Sequence, residues 1–184
     1  MPIYFIRHGQ SEFNARFPDV YEDHMPDPLV FDARLSALGR EQSIAARTRI
    51  SELRIDRVIT SPLTRAIETA LHIFEGSVPI SVSDLHREIQ VHSCDIGRPP
   101  ADLARDFPAL AFDHLADCWW HDGPGNAHGV PVEPEAVYQG RISRFREDMD
   151  TAKDQHLAVI GHGAFFEELI GRMLDNCEIH QYQP

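Results

Sequence analysis

Two short apolar runs, Ile3-Tyr4-Phe5-Ile6 and Leu157-Ala158-Val159-Ile160, end abruptly in Arg7-His8-Gly9 and Gly161-His162-Gly163. Apolar runs of this length, closed by glycine, read as strands buried on both faces, as in a parallel sheet. In such a sheet the ligand crevice lies outside the carboxyl ends of the strands. Two exits of this kind bring together residues more than 150 positions apart, and each exit carries a histidine.

The intervening chain fits that sheet. Residues 57–60 and 79–82 predict two further short strands, and 178–182 an edge strand. Residues 10–14 read as a turn or short helix and 15–34 as a proline-containing loop. Ser36 is placed to cap a helix carrying Leu38, Ala45, Ala46, Ile50 and Leu53 on one face. Ser61 followed by Pro62 reads as an N-cap with proline at the first helical position, opening a helix through Ala66, Ala70, Leu71 and Phe74. From Pro134 the positions Tyr138, Ile142, Phe145, Met149 and Ala152 recur at helical spacing, and a last helix is expected over 164–173. Residues 84–133, with both tryptophans, read as a long irregular stretch. Alternating strands and helices predict an α/β fold: a three-layer sandwich whose mostly parallel sheet is covered by helices on both faces. A chain of 184 residues is one ordinary domain, expected to span 1–184 and to bury about 70% of its unfolded surface.

Charge and composition narrow the partners. The formal net charge of −12 repels nucleic acid and anionic membrane surfaces. No apolar stretch approaches the roughly 20 residues of a membrane helix, and Met1-Pro2 runs straight into the first strand with no leader, so a cytoplasmic protein is expected. Cys94, Cys118 and Cys177 are odd in number and widely spaced, which fits reduced thiols rather than a disulfide framework or zinc site. A small phosphorylated substrate would need a few well-placed arginines against the acidic field.

Arg7 and His8 alternate across a strand and share a ligand only if the strand ends there, which Gly9 allows by turning the backbone. Arg65 falls in the first turn of the helix after the second strand, near a helix N-terminus that favours anions. Two imidazoles flanked by arginines suit phosphoryl chemistry.

The segments Arg7-His8-Gly9-Gln10-Ser11-Glu12-Phe13-Asn14, Leu35-Ser36-Ala37-Leu38-Gly39, Ser61-Pro62-Leu63-Thr64-Arg65-Ala66 and Gly161-His162-Gly163 occur in the order and character of one family's motifs. Over residues 3 to 173 the chain resembles the histidine phosphatase superfamily, the phosphoglycerate mutase-like proteins. The resemblance implies that His8 is the phosphoryl-accepting nucleophile and that Arg7, Arg65 and His162 grip the three equatorial oxygens. It further implies that Asn14 lies near the phosphate and that Glu88 is the acid and base, with Asp84 and Asp95 as substitutes. Positioned donors and cations stabilise a phosphoryl group in flight without a metal, so no cofactor is expected. A backbone carbonyl near Gly9 is expected to fix the His8 tautomer. Ser61 is explained by its cap. Specificity is expected from 84–133, with His92, Arg98, Trp119, Trp120 and His121 as candidates.

Three rival readings compete with net hydrolysis of a small phosphorylated metabolite. A phosphomutase would hold the intermediate and exclude water, and the resemblance implies extra closing segments that this chain lacks. A catalytically silent binding domain would be expected to lose a site residue, and none is missing. Metal-dependent hydrolysis is prompted by Asp23-His24, Asp113-His114 and His121-Asp122, but these lack the spacing of a two-metal site. No heptad or self-complementary apolar patch indicates an oligomeric state.

Overall fold

The computed structural model describes residues 1–16, 26–152 and 155–183. Five strands form one sheet in the order β3-β2-β4-β1-β5. Strands β1 (Ile3–Arg7), β2 (Arg57–Thr60), β3 (Ile80–Val82) and β4 (Leu157–Gly161) pair in parallel, and β5 (Ile179–Tyr182) pairs antiparallel with β1. The α/β sheet with helices on both faces expected from the sequence is the one that forms.

Alternation along the central strands decides which helix covers which face. Ile3, Phe5, Leu157 and Val159 pack against Tyr138, Ile142, Phe145 and Met149 of α5 (Glu135–Ala152) and Phe165 and Phe166 of α6 (Gly163–Ile170). Ile6, Ala158 and Ile160 point the other way, onto Ala46 and Ile50 of α2 (Ala37–Ser51) and Ala66, Ala70, Ile73 and Phe74 of α3 (Thr64–Phe74). Each fully buried Leu, Ile, Val, Phe or Met side chain among them contributes about 1.5–3 kcal/mol. Phe5 is sandwiched between Phe166 and Tyr182, with ring centroids 4.7 and 4.4 Å away.

Several local expectations are corrected. In α2 the buried face is Gly39, Ser43, Ala46 and Ile50, whereas Leu38 and Ala45 are exposed. The helix packs by its small residues because it approaches the loop after β1 closely. Ser36 does cap it, accepting the Gly39 N–H at 3.0 Å. Ser61 does not cap α3, which starts at Thr64. Its first turn is capped from afar by Asp32, which accepts the Thr64 N–H at 2.8 Å. The last helix stops at Ile170, not 173, because Gly171 takes a left-handed φ of 74° that ends the turn. Residues 84–133 are not wholly irregular: a 3-10 turn forms at Ser93–Asp95 and α4 at Pro100–Asp106. Pro100 opens α4, and Leu103 joins Leu63, Ile67, Val82, Phe107, Phe112 and Trp119 in a satellite core. Part of the loop predicted for 15–34 lies outside the described residues. Helix α1 (Glu12–Arg16) fills the short-helix position.

The loop after β1 is seated on the start of α2. Ser36 N–H donates to the Gln10 carbonyl, Glu12 N–H to the Arg34 carbonyl, and Ser11 bridges Leu35. Gly9 has no left-handed φ, so the turn does not require it. Its need is space: a Cβ there would lie 2.5 Å from the Gly39 carbonyl oxygen, and one on Gly39 would lie 2.0 Å from that of Gln10. Gly39→Ala is therefore expected to cost about 1–3 kcal/mol, seen in thermal melts as a fall of about 2–4 °C per kcal/mol. An unshifted melting temperature would show that this backbone contact is slack.

Candidate active site

The register of β1 on β4 sets Arg7 opposite Gly161, and His8 N–H donates to the Gly161 carbonyl at 2.9 Å. His8 and His162, one residue further along each strand, are thereby brought together with ring centroids 5.2 Å apart. Both rings are buried. The exit of β2 delivers Arg65 on the first turn of α3, and the segment after β3 delivers Glu88. Thus Arg7, His8, Arg65, Glu88 and His162 come from the exits of four parallel strands.

Each polar atom has a definable state. His8 Nδ1 lies 2.6 Å from the Gly9 carbonyl oxygen, which can only accept, so Nδ1 carries the proton and Nε2 presents a lone pair. Arg65 Nε–H points at that lone pair over 3.3 Å. The rest of its guanidinium donates to the Cys94 carbonyl and the Asp95 carboxylate, at 2.6 and 2.9 Å. His162 Nε2 sits 2.8 Å from the Ser61 hydroxyl, while its buried Nδ1 has no partner. Arg7 gives one nitrogen to the Leu174 carbonyl at 2.6 Å, and its buried Nε also lacks an acceptor. Gly163 leaves room for that guanidinium, since a Cβ there would stand 3.2 Å from Arg7 Cζ.

Burial, reinforced by Arg65 and Arg7, holds the His8 imidazole uncharged, well below the ordinary histidine range. Burial, then Arg65 and His8, does the same to His162. The Glu88 carboxylate accepts the N–H groups of Ala164 and Phe165 at the N-terminus of α6, at 3.1 and 3.0 Å. Burial and the nearby Asp95 carboxylate still push its carboxyl upward, against the pull of Arg65 and of the Ala164 and Ile89 amides. Among the described residues, no three His, Cys, Asp or Glu side chains group as a metal-binding set. Asp23-His24 lies outside the described residues. No helix among them is long and apolar enough to cross a membrane.

The sequence profile of the histidine phosphatase superfamily (branch 1) matches residues 3–183. The chain belongs to this superfamily. It is 28% identical over 177 residues to a probable phosphatase of Schizosaccharomyces pombe, spanning 88% of this chain and 73% of that protein. An adenosylcobalamin/alpha-ribazole phosphatase of Salmonella typhimurium is 27% identical over 176 residues, 95% of this chain and 80% of that one. The solved alpha-ribazole phosphatase of Shigella flexneri shares the fold with a TM-score of 0.61, at 21% identity, over 97% of this chain and 88% of its own. The segments Arg7-His8-Gly9, Ser61–Ala66 and Gly161-His162-Gly163 meet through contacts of His8 with Arg65 and His162 and of His162 with Ser61.

The other predicted residues are held by contacts of their own. Asn14 Oδ1 accepts the Ser11 N–H and hydroxyl at 3.2 and 2.9 Å, tying the start of α1. Asp95 pairs with Arg65. Arg98 is spent on Asp32, Thr64 and Asp106, and the Trp119 indole N–H donates to the Arg98 carbonyl at 2.9 Å, so both brace the wall. His121 donates its main-chain N–H to the Gln90 side chain at 3.1 Å. His92 stacks on Phe13, with centroids 5.5 Å apart. The Trp120 ring meets Trp119 edge-on, joining the satellite core.

The sequence reading missed three supports. Asn176 donates to the His8 carbonyl at 2.8 Å, His86 to the Ile160 carbonyl at 3.1 Å, and Arg141 holds the loop carrying Glu88. Gly-His-Gly and Arg-His-Gly advertise themselves; a single loop asparagine carries no signal.

Burial of neutral rings fixes a pH dependence. His8 and His162 are depressed and His86 falls to about 3, so the unfolded chain binds protons that the folded chain refuses. Stability is then complete above the unfolded histidine range and is lost as pH falls through it; the raised Glu88 offsets at most one proton. Urea titrations are expected to give a stability lower by about 3–4 kcal/mol at pH 5.5 than at pH 7.5. Equal stability at both would mean that these rings accept protons in the fold.

Proposed function

We propose that residues 1–184 form one domain that hydrolyses phosphomonoesters of small metabolites through a phosphohistidine at His8, without metal or organic cofactor. The reading is carried by one observation: two buried imidazoles 5.2 Å apart, beside Arg65, with the buried nitrogens Arg7 Nε and His162 Nδ1 lacking any hydrogen-bond partner. Buried N–H groups without partners cost about 1–3 kcal/mol each, and an oxyanion supplies the missing acceptors. The named substrates of the Salmonella relative support a small molecule rather than a polymer.

In the first step the His8 Nε2 lone pair attacks phosphorus while the ester P–O bond breaks and its electron pair leaves on the alcohol oxygen. Glu88, whose carboxyl is pushed upward, gives that oxygen its proton. Arg7, Arg65 and His162 hold the equatorial oxygens, where charge spreads in the transition state. In the second step water gives a proton to the Glu88 carboxylate and attacks phosphorus. The P–N bond breaks, its pair returns to His8, and inorganic phosphate departs. The amide nitrogen of Asn14 is assigned to the same phosphate, its oxygen being taken by Ser11.

Release of inorganic phosphate from a panel of phosphomonoesters tests this directly. His8→Ala is expected to fall to background with unchanged circular dichroism, and wild type quenched in base to retain a base-stable, acid-labile phosphoryl group. Glu88→Gln is expected to slow alkyl phosphates about 10²–10⁴-fold and nitrophenyl phosphate far less. Turnover by His8→Ala at the wild-type rate would remove the nucleophile, and equal slowing of both ester types would remove the acid.

A further inference from the structure

We propose that Arg141 is a positioning residue for the proton-transfer step, holding the Glu88 loop so that its carboxyl meets the leaving oxygen. The inference rests on the assignment of Glu88 as acid and base.

Arg141 belongs to α5 and is 2% exposed, the largest side chain so deeply buried among the described residues. One terminal nitrogen donates to the Leu85 and Arg87 carbonyls at 2.7 and 2.9 Å. The other reaches the Glu88 carbonyl at 3.4 Å and the Glu133 carboxylate. Nε donates to Glu133 at 2.9 Å. Glu133 is itself buried and also accepts from Arg87 at 2.8 Å. The Arg141 guanidinium carbon lies 5.6 Å from the centre of the Phe165 ring, and Phe165 N–H is one of the two α6 amides bound to the Glu88 carboxylate.

Stability alone does not account for this arrangement. A buried ion pair contributes little net stability compared with well-packed apolar groups of the same volume. What it does supply is a rigid fork of five donors. Around Glu88 the backbone is neither helix nor strand, so its carbonyls need donors from outside. Arg141 spans three of them and touches no other part of the catalytic group. Lysine keeps the charge but has three donors for the five bonds that Arg141 makes, three to carbonyls and two to Glu133. Loss of the fork shifts the Glu88 main chain relative to the α6 amides. A displacement of about 1 Å costs about 100-fold in a step that depends on alignment. That cost falls only on esters that need a proton on departure.

The experiment measures kcat/KM of wild type, Arg141→Lys and Glu88→Gln against esters of alcohols ranging from nitrophenol to simple alkanols. Arg141→Lys is expected to lower the alkyl-to-aryl ratio at least about tenfold, in the sense of Glu88→Gln, with KM little changed. A uniform loss across the series, or a lower melting temperature with an unchanged ratio, overturns the proposal and leaves Arg141 a purely structural group. If Glu88→Gln lowers the ratio and Arg141→Lys does not, the inference fails alone. If Glu88→Gln itself leaves the ratio intact, the acid assignment fails and takes this one with it. Should Arg141→Lys not fold, Arg141→Gln, which leaves Glu133 paired with Arg87, carries the same expectation.

Discussion

The pairing of β1 with β4 is the contact on which the rest depends. Its register sets Arg7 against Gly161, so the next residue on each strand is a histidine of the facing pair. A slip of one residue would turn every side chain of β1 to the opposite face. It would drive Phe5 off the rings of Phe166 and Tyr182 and carry His8 away from the crevice. The aromatic stack on one face of the sheet and the chemistry at the ends of its strands are thus held by the same ladder of hydrogen bonds.

Above that ladder the protein keeps groups in states that water would not allow. The chain carries a net charge of −12, yet the floor of its crevice gathers Arg7 and Arg65 around two uncharged rings. Arg65 is tolerated because Asp95 and the Cys94 carbonyl take its outer donors, leaving Nε–H turned to His8. Glu88 is tolerated because the start of α6 offers it two amides. Among the described residues four buried nitrogens lack partners: Arg7 Nε and His162 Nδ1 in the site, where an anion is the natural complement, and His86 Nδ1 and Arg87 Nε in the loop that carries Glu88. Such strain is characteristic of sites kept ready for a ligand rather than optimised for the resting state.

Much of this was legible in the sequence because it is written in local patterns. Four apolar residues closed by glycine mark β1 and β4, Ser36 three positions before Gly39 marks a cap, and the Tyr138 to Met149 spacing marks α5. Where the reading failed, a distant residue had taken over a local role. Ser61 looks like a cap, but Asp32 caps α3 and frees the Ser61 hydroxyl for His162. Leu38 fits a helical stripe, but the glycine-to-backbone approach at Gly39 turns the small face inward. Asp95 reads as a spare acid, and only the fold shows it neutralising Arg65. Arg141 and Glu133 look like ordinary surface charges until the Glu88 loop is seen to need donors for its carbonyls.

The short return between α6 and β5 clamps the beginning of the chain at several points: Cys177 N–H on the Arg7 carbonyl, Asn176 on that of His8, and the Leu174 carbonyl on the Arg7 side chain. These contacts join residues about as far apart in sequence as the fold permits. On a ribosome, which issues the amino end first, β1 must wait unpaired until β4 and this return have emerged. Assembly of the site therefore waits on the return after α6, and a nascent chain released before it would hold its arginines and its first histidine without the scaffold that arranges them.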